Sequence, residues 1–217
     1  TLYRFIQSLT NQNMLSYDNE RQTYAPGLRL LRLAHAAWEQ SSLAPIARPF
    51  LDNLAKSVGE AVHLAQIDSG QVLFIDKRSA SAGFDTLAQA GQIAPAYCTG
   101  VGKVILAFMD DDLRARALQQ QAFMKYTAAT HDGATALSAE LTSIRHDGVA
   151  YDREEHESGI ISIAAPILIR NDVVIGAVSV ATTTARHDLA GLEAFRPQLL
   201  KTADQIGAEA RNWQSPT

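Results

Sequence analysis

In the stretch Leu51-Asp52-Asn53-Leu54-Ala55-Lys56-Ser57-Val58-Gly59-Glu60-Ala61-Val62-His63-Leu64-Ala65-Gln66-Ile67-Asp68-Ser69-Gly70, the spacing of apolar residues changes at Gly59. Upstream, Leu43, Ile46, Ala47, Phe50, Leu51, Leu54, Ala55 and Val58 recur at alternating steps of three and one, the stripe of an amphipathic helix that a glycine can end. Downstream, Val62, Leu64 and Gln66 alternate with Ala61, His63, Ala65 and Ile67, the two-residue period of a strand. Asp68-Ser69-Gly70 then turns the chain and residues 71–77 return it, so a hairpin is predicted. Residues 160–169 and 173–182 predict a second hairpin about Arg170-Asn171-Asp172. Between the hairpins, helices are predicted over residues 102–109, 111–121 and 139–146. A last helix starts at Asp188, a good N-cap, and runs towards Trp213 with a bend at Pro197. Hairpins flanked by helices, without strand–helix–strand alternation, indicate an α+β domain on an antiparallel sheet.

The first 42 residues follow a different plan. Leu2, Phe5, Ile6 and Leu9 mark one face of a helix, and Tyr17 to Tyr24 reads as two short strands about a polar turn. Pro26-Gly27 punctuates, and residues 28–40 predict a connecting helix with Leu30, Leu31, Ala34 and Trp38 on one side. Leu30, Leu31 and Trp38 are expected to be exposed and to favour self-association.

Composition narrows the function classes. Hydrophobic residues form 47% of the 217 and charged residues 19%, values of an ordinary globular chain rather than a disordered one. No apolar run approaches the roughly 18 residues of a membrane span, and Thr1-Leu2-Tyr3-Arg4 does not read as a signal peptide, so a cytoplasmic location is expected. One cysteine, Cys98, excludes an internal disulfide and a multi-cysteine zinc site. Net charge is −4, but residues 1–35 carry Arg4, Arg21, Arg29 and Arg32 against Asp18 and Glu20, a balance of +2. The rest then carries −6, a division suited to a small phosphate-facing piece joined to a larger acidic body.

Four segments resemble one family. Thr1-Leu2-Tyr3-Arg4-Phe5 is similar to the start of a recognition helix, and Gln22-Thr23-Tyr24-Ala25-Pro26-Gly27-Leu28 to the junction of wing and linker. The stretch from Ala90-Gly91-Gln92 through Thr99-Gly100-Val101-Gly102-Lys103 to Ala107 resembles a loop-to-helix element above the sheet. Gly148-Val149-Ala150-Tyr151-Asp152-Arg153-Glu154-Glu155-His156, with Gly159 and Ser162-Ile163-Ala164-Ala165-Pro166, resembles a signature region. The family is that of the isocitrate-lyase regulator (IclR) type of bacterial transcription regulators. The resemblance implies part of a winged helix-turn-helix over 1–27, a linker helix over 28–41 and a GAF-like effector domain over 42–213. It further implies helices that precede Thr1, a homodimer or dimer of dimers, operator DNA as one partner and a small organic acid as another. No membrane partner, metal or cofactor is expected.

The candidate site residues follow. Gly100 and Val101 open a helix, where bare N–H groups and the helix dipole attract a carboxylate; the alternative is that glycines here only ease helix packing. A phosphate loop fails on spacing, since Tyr97 stands where its first glycine belongs and Val104 where its hydroxyl belongs. By resemblance, Asp152 lies at the pocket mouth, with a turn or cap role as its alternative. Ser162 and Ser179 supply hydroxyls from inner strands or serve structure alone, and Ala181 stands where some relatives carry another serine. Tyr97 and Cys98 are placed beside the cavity, and packing is favoured over a nucleophile for Cys98 because no paired base accompanies it. Asp152, Glu155 and His156 match no common zinc spacing, so that stretch is read as a solvated acidic loop. Thr1, Tyr3, Arg4 and Arg21 are the candidates for DNA contact, or else plain surface residues. An enzyme is not expected, because no triad, dyad or metal centre stands at motif spacing. The rival readings are an enzyme acting on a small carboxylic acid and a sensor domain standing alone.

Overall fold

A computed structural model describes residues 1–41, 43–79 and 88–212, the side chains of Gln40, Ser41 and Asn212 aside. The chain divides into two units, one up to residue 42 and one from residue 43.

In the first unit, helix α1 (Leu2–Asn11) follows the expected stripe but buries none of it: Leu2 is 74% and Phe5 67% exposed. Strands β1 (Leu15–Asp18) and β2 (Thr23–Pro26) pair with Leu15 opposite Pro26 and Tyr17 opposite Tyr24, whose rings lie 4.7 Å apart. Asp18 shapes the tip by accepting the N–H groups of Glu20 and Arg21, the local side-chain-to-backbone turn that aspartate favours. Helix α2 (Leu28–Ser41) carries Leu30 and Leu31 on its exposed surface. Trp38 is half-buried rather than exposed as the periodicity suggested.

The second unit is built on six antiparallel strands in the order β5-β4-β3-β8-β7-β6. Helix α3 (Ala44–Val58) ends at Gly59, as the change of spacing predicted, with that residue in the left-handed conformation. The expected hairpins are β3 (Ala61–Asp68) with β4 (Gln71–Ser79), and β7 (Ile160–Leu168) with β8 (Val174–Thr183). Two short edge strands complete the sheet, β5 (Ile93–Pro95) and β6 (Ala150–Arg153). At three and four residues they are too short to show alternation in the sequence.

The two sheet faces differ in side-chain size. Ile161, Ile163 and Ile167 of β7 and Val178 and Val180 of β8 point one way, towards α3 and α8 (Arg196–Glu209). Ser162, Ala164, Ala177, Ser179 and Ala181 point the other way by the two-residue period. Small residues on that face let helix α4 (Gly100–Phe108) approach closely, joined by α5 (Asp111–Gln119) and α6 (Ala134–Asp147) in one hydrophobic core.

Helix α6 starts at Ala134, a turn earlier than its apolar spacing implied. The last helix is two helices, α7 (Leu189–Glu193) and α8. Pro197 therefore opens a helix instead of bending one, because in a first turn its missing N–H breaks no hydrogen bond. Asp188 caps α7 as expected, accepting the N–H of Gly191 at 2.8 Å; the expected end at Trp213 lies outside the described residues.

Candidate functional site

Helix α4 enters at the small-residue face, and its first turn is open. The Thr99 hydroxyl accepts the N–H of Gly102 and donates to the Pro95 carbonyl, and the Thr99 carbonyl accepts the N–H of Lys103. The N–H groups of Gly100 and Val101 have no partner among the described residues. A helix start of this kind offers two donors and a partial positive charge to an anion. Gly100 also permits the approach itself, since a methyl there would lie 2.9 Å from the Ser162 hydroxyl oxygen.

Above this turn is a cavity of about 100 Å³, and Gly100, Val101, Asp152, Ser162 and Ser179 all line it. Its scale approaches that of the roughly 150 Å³ cavity that admits benzene. Sheet register explains the convergence: Asp152 lies opposite Ser162, while Ser179 lies opposite Ala164 on one side and His63 on the other. His63 and Phe74 also line it and were not among the candidates, while His156, read as part of a solvated loop, lines it as well. The signal for His63 was available in the strand period, since it shares a face with Ala61 and Ala65 and pairs with Ser179. Its ring stands edge-on to Phe74 at 5.5 Å. Ala181 lines the cavity too, presenting a methyl.

Asp152 is 6% exposed. Burial pushes its carboxyl up to about 7, and the charge of Glu155 adds to the rise, against the Glu155 backbone N–H, the Lys103 ammonium and the His156 N–H. Near neutral pH the group is therefore divided between acid and carboxylate, and its acid form can donate to a bound anion. His156 is held below its usual range by burial, which favours the neutral imidazole.

Tyr97 and Cys98 do not line the cavity. Both belong to the core beneath α4: the Tyr97 hydroxyl donates to the Met124 carbonyl at 2.6 Å, and its ring meets Phe123 at 4.9 Å. Burial pushes the Cys98 thiol up to about 12, with the charges of Asp152 and Glu155 adding to it, so the thiolate a nucleophile needs is suppressed.

The stretch read as a solvated acidic loop is the most polar part of the interior. Glu155 is 3% exposed and ion-pairs with the fully buried Lys103 of α4, which also reaches Glu140 of α6 at 2.9 Å. Arg153 meets Glu140 at 3.0 Å. A local charge count could not find this, because the balancing lysine lies about fifty residues upstream. His131, Glu140 and Glu155 bring potential cation ligands within 4.8 Å of one another. Positive charge is already supplied there, by the ammonium of Lys103 held between the two carboxylates.

Gly102 serves packing. A methyl there would sit 2.4 Å from the Ala96 carbonyl oxygen and 2.5 Å from its Cα. Gly102→Ala is expected to cost about 1–3 kcal/mol, as overpacking against backbone does, whereas Gly133→Ala, with nothing within 4 Å, should be near neutral. Urea unfolding of the two variants, compared with the parent, checks the contrast.

An open helix start, an aspartate pushed up to about 7 by burial and two strand serines share one cavity in the second unit. The bacterial transcriptional regulator IclR C-terminal family matches residues 35–208, and the chain belongs to that family. It is 28% identical over 209 residues to the HTH-type transcriptional regulator KdgR of Escherichia coli, covering 96% of this chain and 80% of that one. Among solved structures, the IclR of Thermotoga maritima superposes with a TM-score of 0.80 at 25% identity, over 96% of this chain and 84% of that one. An IclR homologue from Microbacterium hydrocarbonoxydans, complexed with 4-hydroxybenzoate, shares the fold with a TM-score of 0.78 at 22% identity, over 97% and 85%.

Proposed function

We propose that the cavity binds a small organic acid whose presence modulates operator binding by the regulator. The observation that carries this reading is the pair of N–H groups at Gly100 and Val101, without a partner among the described residues, opening onto the cavity that Asp152, Ser162 and Ser179 share. The carboxylate of the effector takes the helix start, the acid form of Asp152 donates to it, and the serine hydroxyls set its orientation. 4-Hydroxybenzoate, described as bound to a structural neighbour, is an acid and belongs in the first panel tested.

The operator is met by residues 1–27 as part of a winged helix, with residues 28–41 as linker and 42–213 as the GAF-like effector domain, in a cytoplasmic homodimer or dimer of dimers. Tyr3 (71% exposed), Arg4 and Arg21 stand on open surface with Thr1 at the start of α1, which suits contact with phosphates. Effector binding shifts the arrangement of linker helices, and it does so to the extent that the two arrangements differ in affinity for the acid. No helix among the described residues is long and apolar enough to cross a membrane.

A thermal-shift screen against keto acids, sugar acids and aromatic acids tests the reading. A ligand present at about a hundred times its Kd stabilises the folded chain by about 2.7 kcal/mol, which in a chain of this size raises Tm by roughly 5–10 °C. The shift should vanish in Ser179→Ala and Asp152→Ala. A panel without a single shift, or a shift that survives both substitutions, removes the assignment.

A further inference from the structure

We propose that Lys103, which lines no part of the cavity, is a positioning residue for it, holding Asp152 in place through Glu155. The inference rests on the reading above that Asp152 faces the effector. Lys103 lies one turn into α4 from Gly100 and Val101, and it is fully buried. Its ammonium contacts the Glu155 carboxylate, which is itself 4% exposed. The backbone N–H of Glu155 donates to Oδ1 of Asp152 at 2.8 Å. Lys103 thus ties the helix that carries the anion donors to the segment that carries Asp152, His156 and Glu157, all three of which line the cavity.

That segment needs holding. Glu154 has a φ of +62°, a conformation uncommon outside glycine and asparagine. The carbonyls of Glu154 and Glu155 are each taken by a threonine hydroxyl, from Thr127 and Thr130 at 2.7 Å. These bonds fix the backbone, and the Lys103–Glu155 pair fixes its distance from α4. Oδ1 of Asp152 is occupied by the Glu155 N–H, and the His156 N–H bears on the same carboxyl. A neutral side chain shaped like lysine could fill the same volume, but it could neither hold Glu155 nor set the charge beside Asp152.

The charges of Lys103 and Glu155 act on Asp152 in opposite senses, the first favouring its carboxylate and the second its acid. Titration of the Asp152 carboxyl carbon in [13C]aspartate-labelled protein, assigned with Asp152→Asn, reads this without any ligand. Lys103→Met should move the midpoint up by about one unit and Glu155→Gln should move it down by about as much. Position is read separately by titrating acetate at pH 5, where Asp152 is protonated in parent and variant alike, and following the amides of Gly100 and Val101. Acetate binding to Lys103→Met should weaken about tenfold there.

A midpoint that stays put in both variants, or an acetate affinity unchanged in folded Lys103→Met, overturns the proposal. If Lys103→Met does not fold, Glu155→Gln, which leaves Lys103 paired with Glu140, decides it by the downward shift alone. If acetate leaves both amides of the parent unperturbed, the acid-binding reading fails, and the Asp152 titration still decides the role of Lys103.

Discussion

Asp152→Asn is expected to reverse part of the pH dependence of stability, gaining on the parent by up to about 4 kcal/mol above pH 7. The sign follows from the raised carboxyl. An unfolded chain ionises this aspartate near 3.9, while the folded chain holds it protonated up to about 7. Between those values the unfolded state binds fewer protons, so raising the pH draws the equilibrium towards unfolding. The stabilising contribution is complete below pH 4, declines through the interval and is gone above 7. Asparagine keeps the oxygen that accepts from Glu155 but carries no proton to lose. Urea unfolding of parent and variant at pH 4.5 and pH 8 checks this. The difference between them should grow with pH, and a gap that is constant across the range would mean that Asp152 is ionised in the fold as it is in water. On the proposed acid-binding reading, an acid effector should be held more weakly as the pH passes 7, because the carboxylate of Asp152 repels it.

Lys103→Met is expected to cost about 3–5 kcal/mol, the range found when one partner of a buried ion pair is removed. Methionine fills nearly the same space, so the loss does not come from a cavity. It comes from leaving Glu155 and Glu140 near each other without the ammonium that both contact. Glu155 is the more exposed to this loss: its Oε2 already lacks a hydrogen-bond partner, and His131 stands 3.7 Å away. The surface pair of Arg114 and Asp111, at 2.8 Å, makes a useful contrast, because the aspartate side chain is 89% exposed. Asp111→Asn should change stability by less than about 1 kcal/mol. Unfolding at low and high salt separates the two, since screening reaches an exposed pair and barely touches a buried one. A loss of under 1 kcal/mol in Lys103→Met would mean that the interior tolerates the two glutamates without the ammonium between them.

Much of the fold is legible in the sequence. The hairpins, α3 and its end at Gly59, and the cap at Asp188 each follow from a local cause: a period of two, a period of 3.6, a glycine able to turn left-handed, an aspartate able to accept a backbone N–H. The cavity was legible in part. Gly100, Val101, Asp152, Ser162 and Ser179 do meet in one place, while Tyr97 and Cys98 turn into the core. Their neighbourhood in sequence suggested otherwise, because successive residues at a helix entry point in different directions.

What the sequence determined by itself was much of what has a cause within a few residues: the main helices and the two hairpins, the end of α3, the antiparallel class and a helix start at Gly100 and Val101. Tertiary structure alone decided what depends on distant partners. Edge strands β5 and β6 exist because neighbouring strands supply their hydrogen bonds. Asp152 titrates near neutrality because the folded chain removes it from water, and Glu155 is buried because Lys103 waits for it fifty residues back along the chain. Burial and charge pairing are properties of the space between segments, and the order of residues along the chain does not state which segments will share it.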